Sequence, residues 1–232
     1  MKLPPLIAGT LQKRYKRFLA DIQLSDGSVV TAHCPNSGSM LGCNIPGSPV
    51  LVSQSTNPNR KLAYTWELVA STGGWIGLNT MYPNKLAYEA IQQGIIPELA
   101  GYSSIRTEVP YGHERSRIDL LLEEGSKRCY VEVKNVTLVE QGQALFPDAV
   151  TVRGQKHLRE LMEMVKEGYR AALLFTVQHH DATEVRPADR IDPVYGSLLR
   201  QAATHGVELL AYQAFVSPEE IRLTKRLPVN LS

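Results

Sequence analysis

The sequence predicts an α+β chain in two parts, a small β-barrel followed by a mixed α/β domain on a central sheet. Three observations carry this expectation. Residues 1–83 read almost entirely as short strand segments separated by turn residues. From residue 84 onward, helical apolar periodicity alternates with strand-like runs. Two consecutive strands of that second part carry Asp119 and Glu132-Val133-Lys134, acidic and basic residues set between apolar ones.

In the first part, strands are expected at 18–24 and 28–34, joined by the turn Asp26-Gly27, and then at 49–53, 63–70 and 75–79. Five short strands in so small a span favour a barrel, with an OB-fold as the natural candidate. Pro35-Asn36-Ser37-Gly38-Ser39-Met40 is a turn-rich loop whose amides and hydroxyls suit a phosphate or simply connect strands. The second part opens with a helix from Asn84, its expected N-cap, with Leu86, Ala87, Ala90 and Ile91 on the apolar face, Glu89 at its border and Gly94 at its end. Strands follow at 106–111, 116–122 and 129–135, with Ile118, Leu120 and Leu122 expected on one face. Residues 140–151 read as a loop. A helix over 154–167 has Leu158, Leu161, Met162 and Val165 at i, i+3, i+4, i+7. A buried strand at 170–177, a helix from Asp192-Pro193 to about 204, a strand at 207–212 and a terminal helix over 217–225 complete the chain. The expected division is 1–83 and 84–232.

The 232 residues are 43% hydrophobic and 21% charged, an ordinary folded composition. There is no 18-residue apolar run, no secretory h-region at the start, and only three cysteines, which form no disulfide framework. A cytoplasmic protein with no membrane partner is therefore expected. His33-Cys34 with Cys43 lacks a fourth zinc ligand. His179-His180-Asp181 reads as a polar strand end. No Walker or dinucleotide motif occurs, and Ser37 and Ser39 lack a Gly-x-Ser-x-Gly context.

Net charge is +2, unevenly spread: seven Lys/Arg against three Asp/Glu up to residue 83, and eighteen against twenty thereafter. Lys13, Arg14, Lys16 and Arg17 surround Tyr15. Such a cluster suits a phosphate backbone, or equally a solvated strand edge guarded by cations. Glu132 and Lys134 lie two apart and so share a face, and a hairpin through 123–127 brings Asp119 near them. Two carboxylates hold a hard divalent cation such as Mg²⁺ or Mn²⁺. Such a cation activates water for phosphodiester hydrolysis, and a lysine orients that water or stabilises the phosphorane. An exposed cross-strand ion pair is the plain alternative.

This pattern resembles the Asp…Glu-x-Lys signature of the PD-(D/E)XK nuclease superfamily, with Ile118 where the name has proline. The superfamily core runs α-β-β-β-α-β, with the acids on its second and third strands. The order expected here, α-β-β-β-α-β-α-β, places them likewise. The segments 32–40, 130–138 and 146–158 together resemble the sugar fermentation stimulation protein A family over essentially the whole chain. That resemblance implies an OB-like domain followed by a nuclease-like domain, DNA binding, and a supposed link to sugar (maltose) metabolism. It implies Asp119 and Glu132 as metal ligands with the Val133 carbonyl as a third, Lys134 as the catalytic lysine, and Glu89 as an additional acid. Arg153, Gln155, Lys156 and His157 would present a helix start to phosphate.

Two readings follow: a metal-dependent nuclease that binds DNA through its basic barrel, and a non-catalytic, largely sequence-nonspecific DNA-binding regulator on the same scaffold. An oligosaccharide-binding regulator is disfavoured because the sequence shows no aromatic platform. Oligomeric state is left open, a homodimer included.

Overall fold

Five strands close on themselves in the first part of this computed structural model, which describes residues 1–114 and 116–232. They are β1 (Leu6–Tyr15), β2 (Leu19–Leu24), β3 (Val29–His33), β4 (Pro49–Gln54) and β5 (Tyr64–Ser71). The sheet order is β3-β2-β1-β4-β5, and a parallel β3–β5 pairing (Ala32↔Tyr64, His33↔Thr65) shuts the barrel. This is the OB topology. Leu11, Ile22, Val50, Val52 and Trp66 fill its interior. β6 (Gly74–Gly77) hangs off β5 outside the closed ring.

The barrel was expected, but not the strand that centres it. β1 escaped because its alternation breaks: the register against β2 shifts between Leu11 and Lys13, so Gln12 bulges and the period-two pattern slips. The expected strand at 75–79 is β6, which takes no part in closure.

The second part is a six-stranded mixed sheet between helices. Its elements are α1 (Pro83–Gln92), β7 (Ser104–Tyr111), β8 (Ser116–Glu124), β9 (Lys127–Val136), β10 (Leu138–Glu140), β11 (Gln143–Phe146), α2 (Val152–Lys166), β12 (Arg170–Val177), β13 (Glu184–Pro187), α3 (Pro193–Thr204), β14 (Glu208–Val216) and β15 (Ile221–Arg226). The sheet order is β15-β14-β12-β9-β8-β7, parallel across β9, β12 and β14 and antiparallel at both edges. β10, β11 and β13 form a small separate sheet. α1 covers one face through Leu86, Ala87, Ala90 and Ile91, against Leu120, Val131 and Leu174. α2 and α3 cover the other through Leu158, Leu161 and Leu199, against Ile118, Leu121 and Phe175.

Four local expectations are corrected. Asn84 is not the cap of α1: Tyr82 holds that position and Pro83 is the first helical residue, which frees the Asn84 side chain. The helix does end at Gly94, whose φ of +70° suits glycine. Residues 140–151 contain β11 rather than only loop. The terminal helix is a strand, β15, in which buried Ile221 and Leu223 alternate with exposed Arg222 and Thr224. Finally, Ile118 does not share a face with Leu120 and Leu122. It packs beneath α2 whereas they pack beneath α1, so the alternation slips at Asp119. The N-terminus returns to this domain: the Met1 amine donates to the Ile221 carbonyl at 2.9 Å.

Candidate metal and nucleic-acid site

β8 and β9 run paired from Glu124↔Lys127 to Leu120↔Val131, and their ladder ends there. The strands fork at the next residue, which leaves the Val133 amide without a ladder partner from β8. Asp119 fills the fork. Its Oδ2 accepts from the Val133 N–H at 2.7 Å, and its Oδ1 accepts from Asn84 Nδ2 on α1 at 2.8 Å. The same Asn84 amide donates to Glu108 Oε1 at 3.2 Å, and Glu108 has a φ of +54°, unusual for a non-glycine strand residue.

On β9, Glu132 is 2% exposed and Lys134 12%. Lys134 Nζ donates to Glu132 Oε1 at 2.7 Å, and His157 Nδ1 on α2 meets the same oxygen. Arg153 Nε lies 3.4 Å from His157 Nε2. One tautomer satisfies both contacts: Nδ1–H donates to Glu132 while Nε2 accepts from Arg153. Glu132 Oε1 is thus shared by two donors, whereas Glu132 Oε2 is buried with no partner.

The electrostatics follow from this arrangement. Burial, then the charge of Glu132, pushes the Asp119 carboxyl up to about 6, against the pull of the Val133 amide, Lys134 and Asn84. Burial also raises Glu132, but Lys134 and His157 more than offset it and hold that carboxyl below its ordinary value. A partnerless buried carboxylate oxygen beside a second carboxyl that resists ionisation is what a divalent cation would relieve. Asp119 and Glu132 therefore fit a hard cation, and Val133 lines the same cleft.

The cleft holds about 430 Å³ and is built by both parts of the chain. Asn36, Ser37, Gly38 and Thr80 form the barrel side. Asp119, Glu132 and Lys134 lie opposite, with residues 145–151, Arg153 and His157 along the rim. A clasp joins the sides. Ser39 Oγ donates to the Asp148 carbonyl at 2.6 Å, and the Met40 amide donates to Asp148 Oδ2 at 2.9 Å. A Cβ on Gly38 would sit 2.7 Å from the same Oδ2, so only glycine permits the approach.

Of the residues singled out in the sequence, Asp119, Glu132, Val133, Lys134, Arg153 and His157 all line this cleft. Others are committed elsewhere. Glu89 does not line it: its carboxylate faces the Met1 amine at 2.9 Å. Arg14 spends its guanidinium on backbone carbonyls, Asn36 and Gly38 at 2.9 Å each, Arg17 at 3.1 Å and Ser39 at 3.3 Å. Gln155 Nε2 bonds the Asp192 carboxylate, and Lys156 Nζ donates to the Glu114 carbonyl. Lys13 pairs with Asp21 at 3.4 Å and lies over the Tyr15 ring. Lys16 and Arg17 have no ion-pair partner among the described residues. Asn84 and Asp148 are the contributors that sequence reasoning missed. Pro83 at the first helical position was the signal that Asn84 is inside the helix.

His179, His180 and Asp181 do come within 4.8 Å of one another. The two imidazoles stack on each other, and a Cβ on Gly73 would lie 1.9 Å from His180 Nε2. His180 thus fills the joint between the β5–β6 hairpin and the second domain.

An OB barrel clasped to a mixed-sheet domain, with an acidic pair and a lysine at their joint, defines the class. Residues 81–220 match the sugar fermentation stimulation protein RE domain, and residues 13–78 match the SfsA N-terminal OB domain. The chain belongs to the sugar fermentation stimulation protein family. Homologs from Geobacter metallireducens and Pelobacter propionicus are 67% and 68% identical, each over 100% of both chains. The solved structure of Pyrococcus furiosus SfsA in complex with Ca²⁺ is 28% identical, with a TM-score of 0.90 over 99% of this chain and 98% of that one. No helix among the described residues is long and apolar enough to cross a membrane.

Proposed function

We propose that this protein binds DNA and hydrolyses its phosphodiester bonds at Asp119, Glu132 and Lys134 with Mg²⁺ or Mn²⁺. One observation carries the reading: a half-buried and a buried carboxyl group line one cleft, the first raised to about 6 and the second with an unpartnered oxygen. The Ca²⁺ complex of the Pyrococcus furiosus relative supports divalent binding, since Ca²⁺, Mg²⁺ and Mn²⁺ all favour carboxylate oxygens. A bound Mg²⁺ or Mn²⁺ would supply an activated water and neutralise charge on the phosphate.

The chain's own residues do the rest. Asn84 and the Val133 amide fix the Asp119 carboxylate, and Asn84 keeps its two oxygens distinct by holding one. His157 and Lys134 hold Glu132 through one oxygen and leave the other without a partner. Lys134 has further protons to donate to water or to a phosphate oxygen. Arg153 lines the rim with a fork suited to a second phosphate oxygen. Lys16 and Arg17 supply unpaired positive charge on the barrel side.

The test is cleavage of labelled single-stranded, duplex and flapped DNA with Mg²⁺, Mn²⁺ or EDTA, beside calorimetric titration with Ca²⁺. Metal-dependent cutting by the wild type, lost in Asp119→Ala together with the Ca²⁺ heat, is expected. Cutting that survives Asp119→Ala sinks the site assignment. Salt-sensitive DNA binding by both proteins, with cutting by neither, would establish the non-catalytic reading instead.

A further inference from the structure

We propose that the nucleic acid reaches this site as unpaired single-stranded DNA, and that Phe18 is the residue on which an incoming base stacks. The inference rests on the nuclease reading for the fate of the strand, but its own claim concerns binding.

The cleft's construction favours an unpaired strand over a duplex. Both of its sides are protein, one from the loop at 36–38 and one from 145–151, and the Ser39–Asp148 clasp ties them together across the site. Arg14 stiffens the barrel side by bonding three of the loop's carbonyls. About 430 Å³ is the volume of a site for one drug-sized molecule. A single nucleotide fits such a space, whereas a base pair with two backbones does not. Glu132 lies at 2% exposure on the floor, so the phosphate must descend to it. Enzymes that draw a base to such depth take it from a single strand or first extrude it from the stack.

Phe18 marks where the strand arrives. It is 44% exposed, unusual for a large aromatic in so small a barrel. Its ring stacks on His33 with centroids 6.4 Å apart and planes at 28°. Its carbonyl accepts from the Cys34 amide at 2.8 Å, so Phe18 sits where β3 passes into the cleft loop. The cations Lys16 and Arg17 immediately precede it, and Arg14 joins the Arg17 carbonyl to the carbonyls of Asn36 and Gly38. An aromatic face flanked by unpaired cations, continuous with the wall of a narrow acidic cleft, is a platform for an unpaired base followed by its phosphates. The duplex has no free base face to offer it.

The experiment is fluorescence anisotropy in Ca²⁺ with a strand of about 20 nucleotides as single-stranded DNA, blunt duplex and single-stranded RNA, across a salt series. Single-stranded DNA is expected to bind at least about tenfold more tightly than duplex. Phe18→Ala should lose about five- to 150-fold for the single strand, the range of one base stack, and leave duplex binding unchanged, while Phe18→Tyr restores it. An exposed side chain is removed, so the fold persists, and an unchanged melting temperature checks this. Equal affinity for duplex, tighter binding of RNA, or no effect of Phe18→Ala would each overturn the proposal. Cleavage run in parallel separates the two readings. Selective single-strand binding without cutting sinks the nuclease and leaves this inference standing. Internal cutting of intact duplex does the reverse.

Discussion

Asp119→Asn is the most informative single substitution, because the same carboxyl that would bind metal destabilises the metal-free fold. Its ordinary value is 3.8 and here it is raised to about 6. At 1.36 kcal/mol per unit, ionising it costs the folded state about 3 kcal/mol, an upper figure because the cleft is open to solvent. The sign is set by which state holds the proton. Between 3.8 and 6 the folded state binds it more tightly, so stability falls as pH rises through that window. The cost is absent below 3.8 and complete above 6. Other carboxyls, including Asp21, Asp189 and Asp192, are lowered and act in the opposite sense, so the wild-type profile alone mixes the two trends. The difference between variant and wild type isolates Asp119. In the Asp119→Asn variant the new amide oxygen must keep the Val133 N–H, which forces the new NH₂ toward Asn84. Asn84 then flips and loses Glu108, at a cost of about 1 kcal/mol. Urea melts in EDTA should therefore show the variant about 2 kcal/mol more stable at pH 8 and about 0.5 kcal/mol less stable at pH 4. Saturating Mn²⁺ should reverse the order at pH 8, since only the wild type gains, by about 2.7 kcal/mol at a hundred times Kd. A difference that stays flat between pH 4 and 8 in EDTA would refute the account of this site.

The other contacts give four further outcomes. Glu132→Ala leaves Lys134, at 12% exposure, with only His157 Nδ1 at 3.1 Å and should cost about 3 kcal/mol in urea melts, whereas Glu132→Gln keeps an oxygen acceptor and should cost clearly less. Arg14→Ala releases four carbonyls and should lower stability by about 2–3 kcal/mol in the same melts. The double variant Lys16→Ala/Arg17→Ala should stay within about 0.5 kcal/mol of wild type while cutting the salt slope of DNA binding by about 2, read from affinities at several salt concentrations. Gly38→Ala drives a Cβ onto the pinned Asp148 carboxylate, and a loss of about 1–3 kcal/mol with faster hydrogen exchange at Met40 would report the strained clasp.

The trio of Asp119, Glu132 and Lys134 was legible because it is local. Alternation along β9 pairs Glu132 with Lys134, and the tight hairpin to β8 brings Asp119 near them although its own strand slips register there. The helix faces were legible for the same reason: Leu86, Ala87, Ala90 and Ile91 repeat at helical spacing and are buried as expected. β1 was not, because a bulge at Gln12 erases the only signal a strand gives. Arg14 looked like a phosphate contact because sequence shows its charge but not that four carbonyls claim it. Glu89 looked like a site acid because helical spacing gives its face but not that the Met1 amine returns from the far end of the chain to meet it.

What escaped on the site side shares one physical cause. Asn84 and Asp148 matter through contacts between elements far apart in the chain, over 35 residues for Asn84–Asp119 and 109 for Ser39–Asp148. Such contacts have no period. Yet they decide what the trio can do. On an open sheet, two carboxylates and a lysine would be the solvated ion pair of the plain alternative, worth a fraction of a kcal/mol. Here Glu132 is buried against α2, one of its oxygens has no partner, and Asp119 resists its own charge. The barrel supplies one side of this cleft. The Ser39–Asp148 clasp holds that side beside the carboxyl groups, so metal affinity should fall when the clasp is loosened even though no proposed ligand is touched. Ca²⁺ titration of Gly38→Ala tests this: wild-type affinity in a variant whose clasp is open by hydrogen exchange would show that the site owes nothing to the barrel.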